Sequence, residues 1–186
     1  MSHANWREGL LKAANVVGYL LFLGSNIYTM IPPQQFYENI EQTYFTPSIW
    51  IFLVWPIVHI LLLGPVVYQF TSARGKALVV DEISWGFPLL TILSTIFVMA
   101  WAGHCHTAAF VLSFIIFIII SSVNCTLKEK HSLGSVADEL LVHLPFSVWQ
   151  AWTMVISCLI AFEVFGVDAT KDQNEFWTDL FVFYAL

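Results

Sequence analysis

Thr46-Pro-Ser-Ile-Trp-Ile-Phe-Leu-Val-Trp-Pro-Ile-Val-His-Ile-Leu-Leu-Leu-Gly64 is an uncharged run, and it continues, still mostly apolar, as far as Phe70. At roughly 1.5 Å per residue, a helix of this length crosses a hydrocarbon core of about 30 Å. Thr46 is a suitable capping residue, and Pro47 occupies the first helical position, where a missing N–H costs nothing. The stretch therefore predicts a membrane-spanning helix.

The composition of the whole chain agrees with this prediction. Of its 186 residues, 58% are hydrophobic and only 11% are charged, whereas soluble domains carry about a quarter charged residues. The formal charge of −6 comes without any basic cluster, which excludes a nucleic-acid footprint. The three cysteines lie in or beside apolar segments, so a disulfide framework is not expected. The composition indicates an integral membrane protein.

The apolar runs predict an all-α bundle of five transmembrane helices in a single domain over residues 1–186. The predicted spans are 9–30, 47–70, 83–103, 107–123 and 139–166. We expect polar loops over 71–81 and 124–137, a kink at Pro88, and a capping box in which Ser135 and Asp138 begin the fifth span. The apolar segment 176–186 is half the length of a span, and is either an interfacial helix or the beginning of a sixth span.

The distribution of basic residues predicts the orientation of the bundle. With five spans, one side carries six lysines and arginines and the other carries only Lys171. Cytoplasmic loops are enriched in these residues, so we expect the N-terminus in the cytosol. The sequence does not indicate which membrane holds the protein. The six residues on the N-terminal side are Arg7, Lys12, Arg74, Lys76, Lys128 and Lys130.

Three predicted spans carry aromatic faces that make them candidates for a ligand site. Residues three, four or seven apart share one face of a helix. Such faces suit a flat, apolar ligand with a few polar atoms, but they also suit plain packing of helix against helix. The candidate residues are Phe52, Trp55 and His59 in the second span, Phe97 and Trp101 with Ser94 in the third, and Phe146, Trp149 and Trp152 in the fifth.

These residues resemble the signature of the translocator protein family, also called TspO or tryptophan-rich sensory proteins. Thr46-Pro47 with Phe52 and Val54-Trp55 is similar to the family's second helix. The stretch 144–149, Leu-Pro-Phe-Ser-Val-Trp, is similar to its fifth-helix Pro-Tyr-x-x-Trp pattern. Leu93-Ser94, with Phe97 and Trp101, is similar to the third-helix Leu-Asn-x-x-Trp pattern. The likeness covers most of the chain and is greatest to divergent bacterial and fungal members with added C-terminal helices.

The resemblance implies a five-helix bundle with an internal pocket beneath the first loop. Relatives bind tetrapyrroles, sterols and synthetic aromatic ligands there, so a haem or porphyrin ligand is implied for this chain. The chain departs from the family at four positions: His59 stands for a Tyr, Ser94 and Ser157 for Asn, and Phe97 for a Trp. These departures leave the fold expected and the identity of the ligand open.

The leading hypothesis is a binding protein or carrier for a planar hydrophobic molecule, covered by the aromatic loop 34–45. In the alternative interpretation, that loop is an interfacial anchor. The second hypothesis is a structural subunit of a membrane complex, and a homodimer is also open. We expect no enzymatic activity, although a porphyrin-modifying enzyme is a third reading. His59 is either an axial haem ligand or a hydrogen-bonding residue, and His104-Cys105-His106 is read as a polar turn rather than a metal site.

Overall fold

The computed structural model describes residues 3–30, 53–130 and 135–165, and every regular element in these ranges is helical. The predicted all-α class is therefore confirmed. Residues 46–52, the first loop and the segment 176–186 lie outside the described ranges. The helices are α1 (His3–Met30), α2 (Val54–Thr71), α3 (Ala73–Ile83), α4 (Gly86–Ala102), α5 (His106–Lys130) and α6 (Val136–Val164).

The long helices form a closed ring. Helix α1 packs against α4, α4 against α5, α5 against α6, α6 against α2, and α2 against α1. By length and composition, α1, α2, α5 and α6 can each cross a membrane, and the bent pair α3 and α4 supplies a fifth crossing. Apolar side chains on the outside of the ring, such as Ile60 and Ile118, are well exposed. Lipid, rather than water, is the solvent that such an exterior requires.

The connection before α4 differs from the expected polar loop. Residues 73–83 are helical, and the chain bends by 67° between α3 and α4. The break lies at Ser84, whose φ of 50° is rare for a residue with a side chain. Pro88 lies in the first turn of α4, where its missing N–H has no partner to lose. The kink predicted at Pro88 is therefore found four residues earlier, at Ser84.

The connection before α6 is shorter than expected. Helix α5 continues to Lys130, through the first half of the predicted loop. The capping box is confirmed: the Ser135 hydroxyl accepts from the Asp138 N–H at 3.3 Å, and the Asp138 carboxylate accepts from the Ser135 N–H at 2.8 Å. Reciprocal bonds of this kind satisfy two N–H groups that the first helical turn would leave without partners.

Hydrogen bonds and ion pairs connect the helices at one end of the ring, which we call the basic end. The Asp138 carboxylate is fully buried, accepts from the Tyr68 hydroxyl at 3.0 Å and pairs with Arg74 at 2.6 Å. Glu8 of α1 pairs with Lys76 of α3 at 2.6 Å. The first π-helical segment in this region is Ala77–Ile83 in α3, and the second is Glu139–His143 in α6. The basic end thus holds α1, α2, α3 and α6 together.

Candidate functional site

Aromatic side chains from three helices meet in the interior of the ring. The Trp55 and Trp152 rings lie edge to face at 5.9 Å between centroids, and Trp55 stacks on His59 at 6.2 Å. Phe22 of α1 lies among them, with its ring 5.5 Å from that of Trp149. All five side chains are at least nine-tenths buried. We call this set, Phe22, Trp55, His59, Trp149 and Trp152, the interior cluster.

A second group of rings extends the interior cluster toward the basic end. Phe87 of α4 lies edge to face against Phe146 at 5.8 Å and against Trp149 at 6.5 Å. Phe146 also lies 6.2 Å from Trp149 on its own helix. Both phenylalanines are fully buried. Three side chains of α6 predicted for the site, Phe146, Trp149 and Trp152, therefore point into the ring together.

Phe97 and Trp101 of α4, the candidates from the predicted third span, lie away from the interior cluster. Phe97 is buried and stacks on Trp101 at 6.4 Å. The Trp101 indole N–H donates to the Glu163 carboxylate at 3.4 Å, at the end of the ring that carries the turn 103–105. We call this the turn end. Phe52 lies outside the described residues, so its placement stays a prediction.

Several polar atoms in the buried interior have no hydrogen-bond partner among the described residues. They include both ring nitrogens of His59, the Trp152 indole nitrogen and the Ser94 hydroxyl. Asn15 Oδ1 and His143 Nε2, away from the interior cluster, are also without a partner in this part of the chain. Tyr19 approaches His59, but its hydroxyl donates to the His59 backbone carbonyl at 3.0 Å and leaves the imidazole free. A buried polar group without a partner costs about 1–3 kcal/mol. Groups of this kind at the centre of a bundle indicate a place for a ligand's polar atoms or for ordered water.

The contrast with neighbouring hydroxyls makes Ser94 notable. The Thr91 hydroxyl donates to the backbone carbonyls of Phe87 and Pro88, and the Thr95 hydroxyl donates to that of Thr91. Ser94, although only 2% exposed, makes no such bond within the described chain. It lies seven residues from both Phe87 and Trp101, on the same helix face. Ser94 is therefore a buried hydroxyl on the helix face that carries Phe87 and Trp101.

The turn end carries a small polar group. One Glu163 carboxylate oxygen lies 3.0 Å from His106 Nδ1, and the same oxygen accepts from Trp101. The His104 ring lies 5.8 Å from that of His106, and His104 has a φ of 56° in the turn. Among the described side chains, no three His, Cys, Asp or Glu residues are placed to hold one metal ion. Glu163 thus joins the C-terminal part of α6 to the turn before α5.

The closed ring of helices and the interior cluster can be compared with known families. A family model described as "TSPO-like protein" matches residues 12–186. The chain belongs to the TSPO-like protein family. No curated protein gives a significant match, and neither does any solved structure. Family membership confirms the resemblance seen in the second, third and fifth spans, and it establishes the chain as an integral membrane protein.

The contribution of α1 to this TSPO-like interior was missed in the sequence. Asn15, Tyr19, Phe22 and Asn26 are spaced by four, three and four residues, so they share one face of α1, and all four are buried. Asn15 donates to Gln69 of α2 at 2.7 Å. A repeat of polar and aromatic residues on a membrane helix is the signal that would have identified this inward face.

The chemistry that this arrangement offers follows from its side chains. Indole and phenyl rings supply flat apolar contact, while the imidazole supplies one donor and one acceptor in its neutral form. The Trp152 indole adds a donor, and the Ser94 hydroxyl adds either role. Among the described residues, the one fully buried carboxylate, Asp138, lies at the basic end and is already paired. The interior is thus suited to the uncharged part of an aromatic or polycyclic molecule.

Proposed function

We propose that this TSPO-like protein is a binding protein or carrier for a planar hydrophobic small molecule, a tetrapyrrole such as haem or a sterol-like compound. The observation that carries the proposal is the set of buried polar groups, on His59, Trp152 and Ser94, that have no hydrogen-bond partner in the described part of the chain and lie in an aromatic bundle. Ligand sites are typically apolar cavities with a few placed polar groups, which fix the orientation of the ligand.

The rings of Trp55, Trp149 and Trp152 supply the faces and edges against which a flat ligand packs. Aromatic pairs in such geometry contribute about 0.5–1.5 kcal/mol beyond area burial. Because no unpaired buried charge faces the interior among the described residues, carboxylates on the ligand belong at an open end of the ring. The predicted cover for that end is the loop 34–45, which lies outside the described residues.

His59 gives the proposed site its chemical preference. A neutral imidazole, whose two nitrogens have no partner among residues 3–30, 53–130 and 135–165, either accepts and donates hydrogen bonds or coordinates the iron of haem. The two roles are separated by comparing haem with metal-free protoporphyrin IX. Coordination by His59 makes His59→Phe weaken haem binding and change its visible absorption spectrum, while protoporphyrin IX binding changes less.

A porphyrin titration tests the proposed function. Protoporphyrin IX added to the purified protein should quench tryptophan emission with a saturable, one-to-one curve. Trp149→Ala should raise the Kd by about 2- to 13-fold, because the variant loses a stacking partner worth about 0.5–1.5 kcal/mol. The matched control is Trp6→Ala, since the Trp6 side chain is 70% exposed. Quenching that does not saturate, or a Kd unchanged by Trp149→Ala, would contradict the proposal.

A structural role in a larger membrane complex is the second candidate. It is favoured by α5, of whose most apolar window only 28% is buried, the smallest share among the four single-helix spans. A stoichiometric protein partner that copurifies in mild detergent and covers the face around Val111 and Ile118 supports it. A monomer or homodimer that binds porphyrin supports the carrier instead.

We further propose that the chain is not an enzyme and that its N-terminus is cytosolic. Porphyrin that is recovered unchanged after illumination with the protein supports the first statement, and a light-dependent product contradicts it. The second rests on the six-to-one distribution of basic residues. In that orientation the turn that carries the exposed Cys105 faces away from the cytosol.

A further inference from the structure

Phe22 occupies the centre of the interior cluster. Its ring lies 4.7 Å from the His59 ring, 5.7 Å from Trp55 and 5.5 Å from Trp149. The side chain is fully buried. Among the described residues, it is the one whose ring lies within 6 Å of three side chains predicted to contact the ligand. It comes from α1, a helix for which the sequence predicts no ligand contact.

The Phe22 backbone carbonyl is hydrogen-bonded, whereas its side chain makes apolar ring contacts. The Phe22 carbonyl accepts a hydrogen bond from the Ser25 hydroxyl at 2.8 Å and another from the Asn26 amide at 3.0 Å. These bonds tie down the following turn of α1. A phenylalanine in a helix has two accessible χ1 wells, and moving between them swings the ring along the helix. A change of χ1 breaks neither of these two hydrogen bonds, so the ring can turn away from His59 without movement of the helix.

We propose that Phe22 is the specificity-determining residue of the interior site. Its ring fills the volume between Trp55, His59 and Trp149, and a wide planar ligand enters only when that ring swings aside. This inference rests on the proposed function. It adds that the position of the Phe22 ring determines how wide a ligand the site accepts.

The size of the effect follows from the population of the open conformation. Minor conformations of proteins are commonly populated at about 0.1–10%. The apparent Kd of a ligand that binds only the open form is raised by the inverse of that fraction. Removing the ring removes this penalty, so Phe22→Ala should bind a wide ligand about 10- to 1,000-fold more tightly. Phe22→Leu should give an intermediate gain.

The test compares two probes of different width. Protoporphyrin IX is the wide probe, and 1-aminoanthracene, a three-ring planar fluorophore, is the narrow one. Kd values are measured for the wild-type chain, Phe22→Ala, Phe22→Leu and the matched control Phe110→Leu. Phe110 of α5 is partly buried, and its ring contacts Phe114 at 5.0 Å and Phe165 at 5.9 Å, outside the interior cluster.

We expect the ratio of the two affinities to shift toward protoporphyrin IX in both Phe22 variants and to stay within about threefold of wild type in Phe110→Leu. Phe22→Leu keeps an apolar side chain and supplies the answer where Phe22→Ala does not fold. A wild-type protein that binds protoporphyrin IX with a ratio unchanged in the Phe22 variants would overturn this inference and leave the proposed function standing. Failure of all four proteins to bind either probe would overturn the proposed function itself.

Discussion

Replacement of His59 by Phe should stabilise the ligand-free protein and weaken its binding of ligand. The imidazole is 5% exposed, and neither nitrogen has a partner among the described residues. Leaving such a group buried costs about 1–3 kcal/mol, and an apolar ring of similar shape removes that cost. The ring contacts with Phe22 at 4.7 Å and Trp55 at 6.2 Å can persist in the variant. We therefore expect His59→Phe to unfold with a free energy about 1–3 kcal/mol higher.

The assay is thermal unfolding in detergent, paired with a protoporphyrin IX titration. At about 2–4 °C per kcal/mol for a chain of this size, the Tm of the ligand-free variant should rise by several degrees. Its Kd should rise by about 2- to 13-fold, the equivalent of one lost hydrogen bond. A functional residue that costs stability is the pattern expected of a binding site.

Two control variants distinguish the effect of the unpartnered imidazole nitrogens from the effect of ring packing. His59→Ala removes the ring as well as its nitrogens, so the cavity it leaves should lower the Tm. Tyr19→Phe removes the hydroxyl that donates to the His59 carbonyl, and should cost about 1 kcal/mol without the gain seen in His59→Phe. A His59→Phe protein that is as unstable as His59→Ala would refute the reasoning, because the imidazole would then have a partner worth more than its burial costs.

Three further outcomes are expected. Asp138→Ala should lower the free energy of unfolding by about 2–4 kcal/mol, since it removes a helix cap and a buried acceptor. Lys76→Ala, in a part-exposed ion pair whose Glu8 carboxylate keeps Lys12, should cost less than about 1 kcal/mol. Chemical or thermal unfolding in detergent compares the two variants, and equal losses would contradict the assignment. Gly75→Ala should destabilise the protein, because a Cβ there would clash with the backbone carbonyl oxygen of Tyr68. Gly24→Ala, whose Cβ would have no atom within 4 Å, should be neutral or slightly stabilising. Tm values check both variants, and a neutral Gly75→Ala would contradict the close approach. Cys105 should react with a membrane-impermeant maleimide from the non-cytosolic side of sealed vesicles, and labelling only from the cytosolic side would reverse the proposed orientation.

Much of the architecture could be predicted from residue type and run length. Apolar runs of about 20 residues have few alternatives to a spanning helix, which is why the positions of the spans follow from hydropathy. The capping box at Ser135 follows from local chemistry, because both of its bonds join residues three apart. These features need no knowledge of which helix is next to which.

The features that were mispredicted depend on tertiary packing. The bend at Ser84 needs a positive φ that only the surrounding helices can impose. Residues 73–83 have the composition of a polar loop. In the structure they are helical, and their charged side chains pair with other helices: Lys76 with Glu8 of α1, and Arg74 with Asp138 of α6. Local composition contains no information about those partners, so the sequence favoured a loop.

The candidate site also contains residues that helix spacing predicts and residues that depend on contacts between helices. Trp55, His59 and the two tryptophans of α6 share helix faces in the sequence, and the structure brings them together, although their role in ligand binding stays a prediction. Phe22 was missed because its importance comes from contacts across three helices. Trp101 was grouped with them by spacing alone, yet its partner is Glu163 at the turn end.

Native mass spectrometry of the protein purified in mild detergent tests the central claim most directly. The account predicts a species heavier than the 21.1 kDa chain by the mass of one uncharged polycyclic or tetrapyrrole molecule, at one copy per chain. After protoporphyrin IX is added, that adduct should be replaced by the porphyrin, and less completely in Trp149→Ala. A bare chain that takes up no porphyrin, or one that carries only phospholipid, would contradict a ligand site among the interior rings.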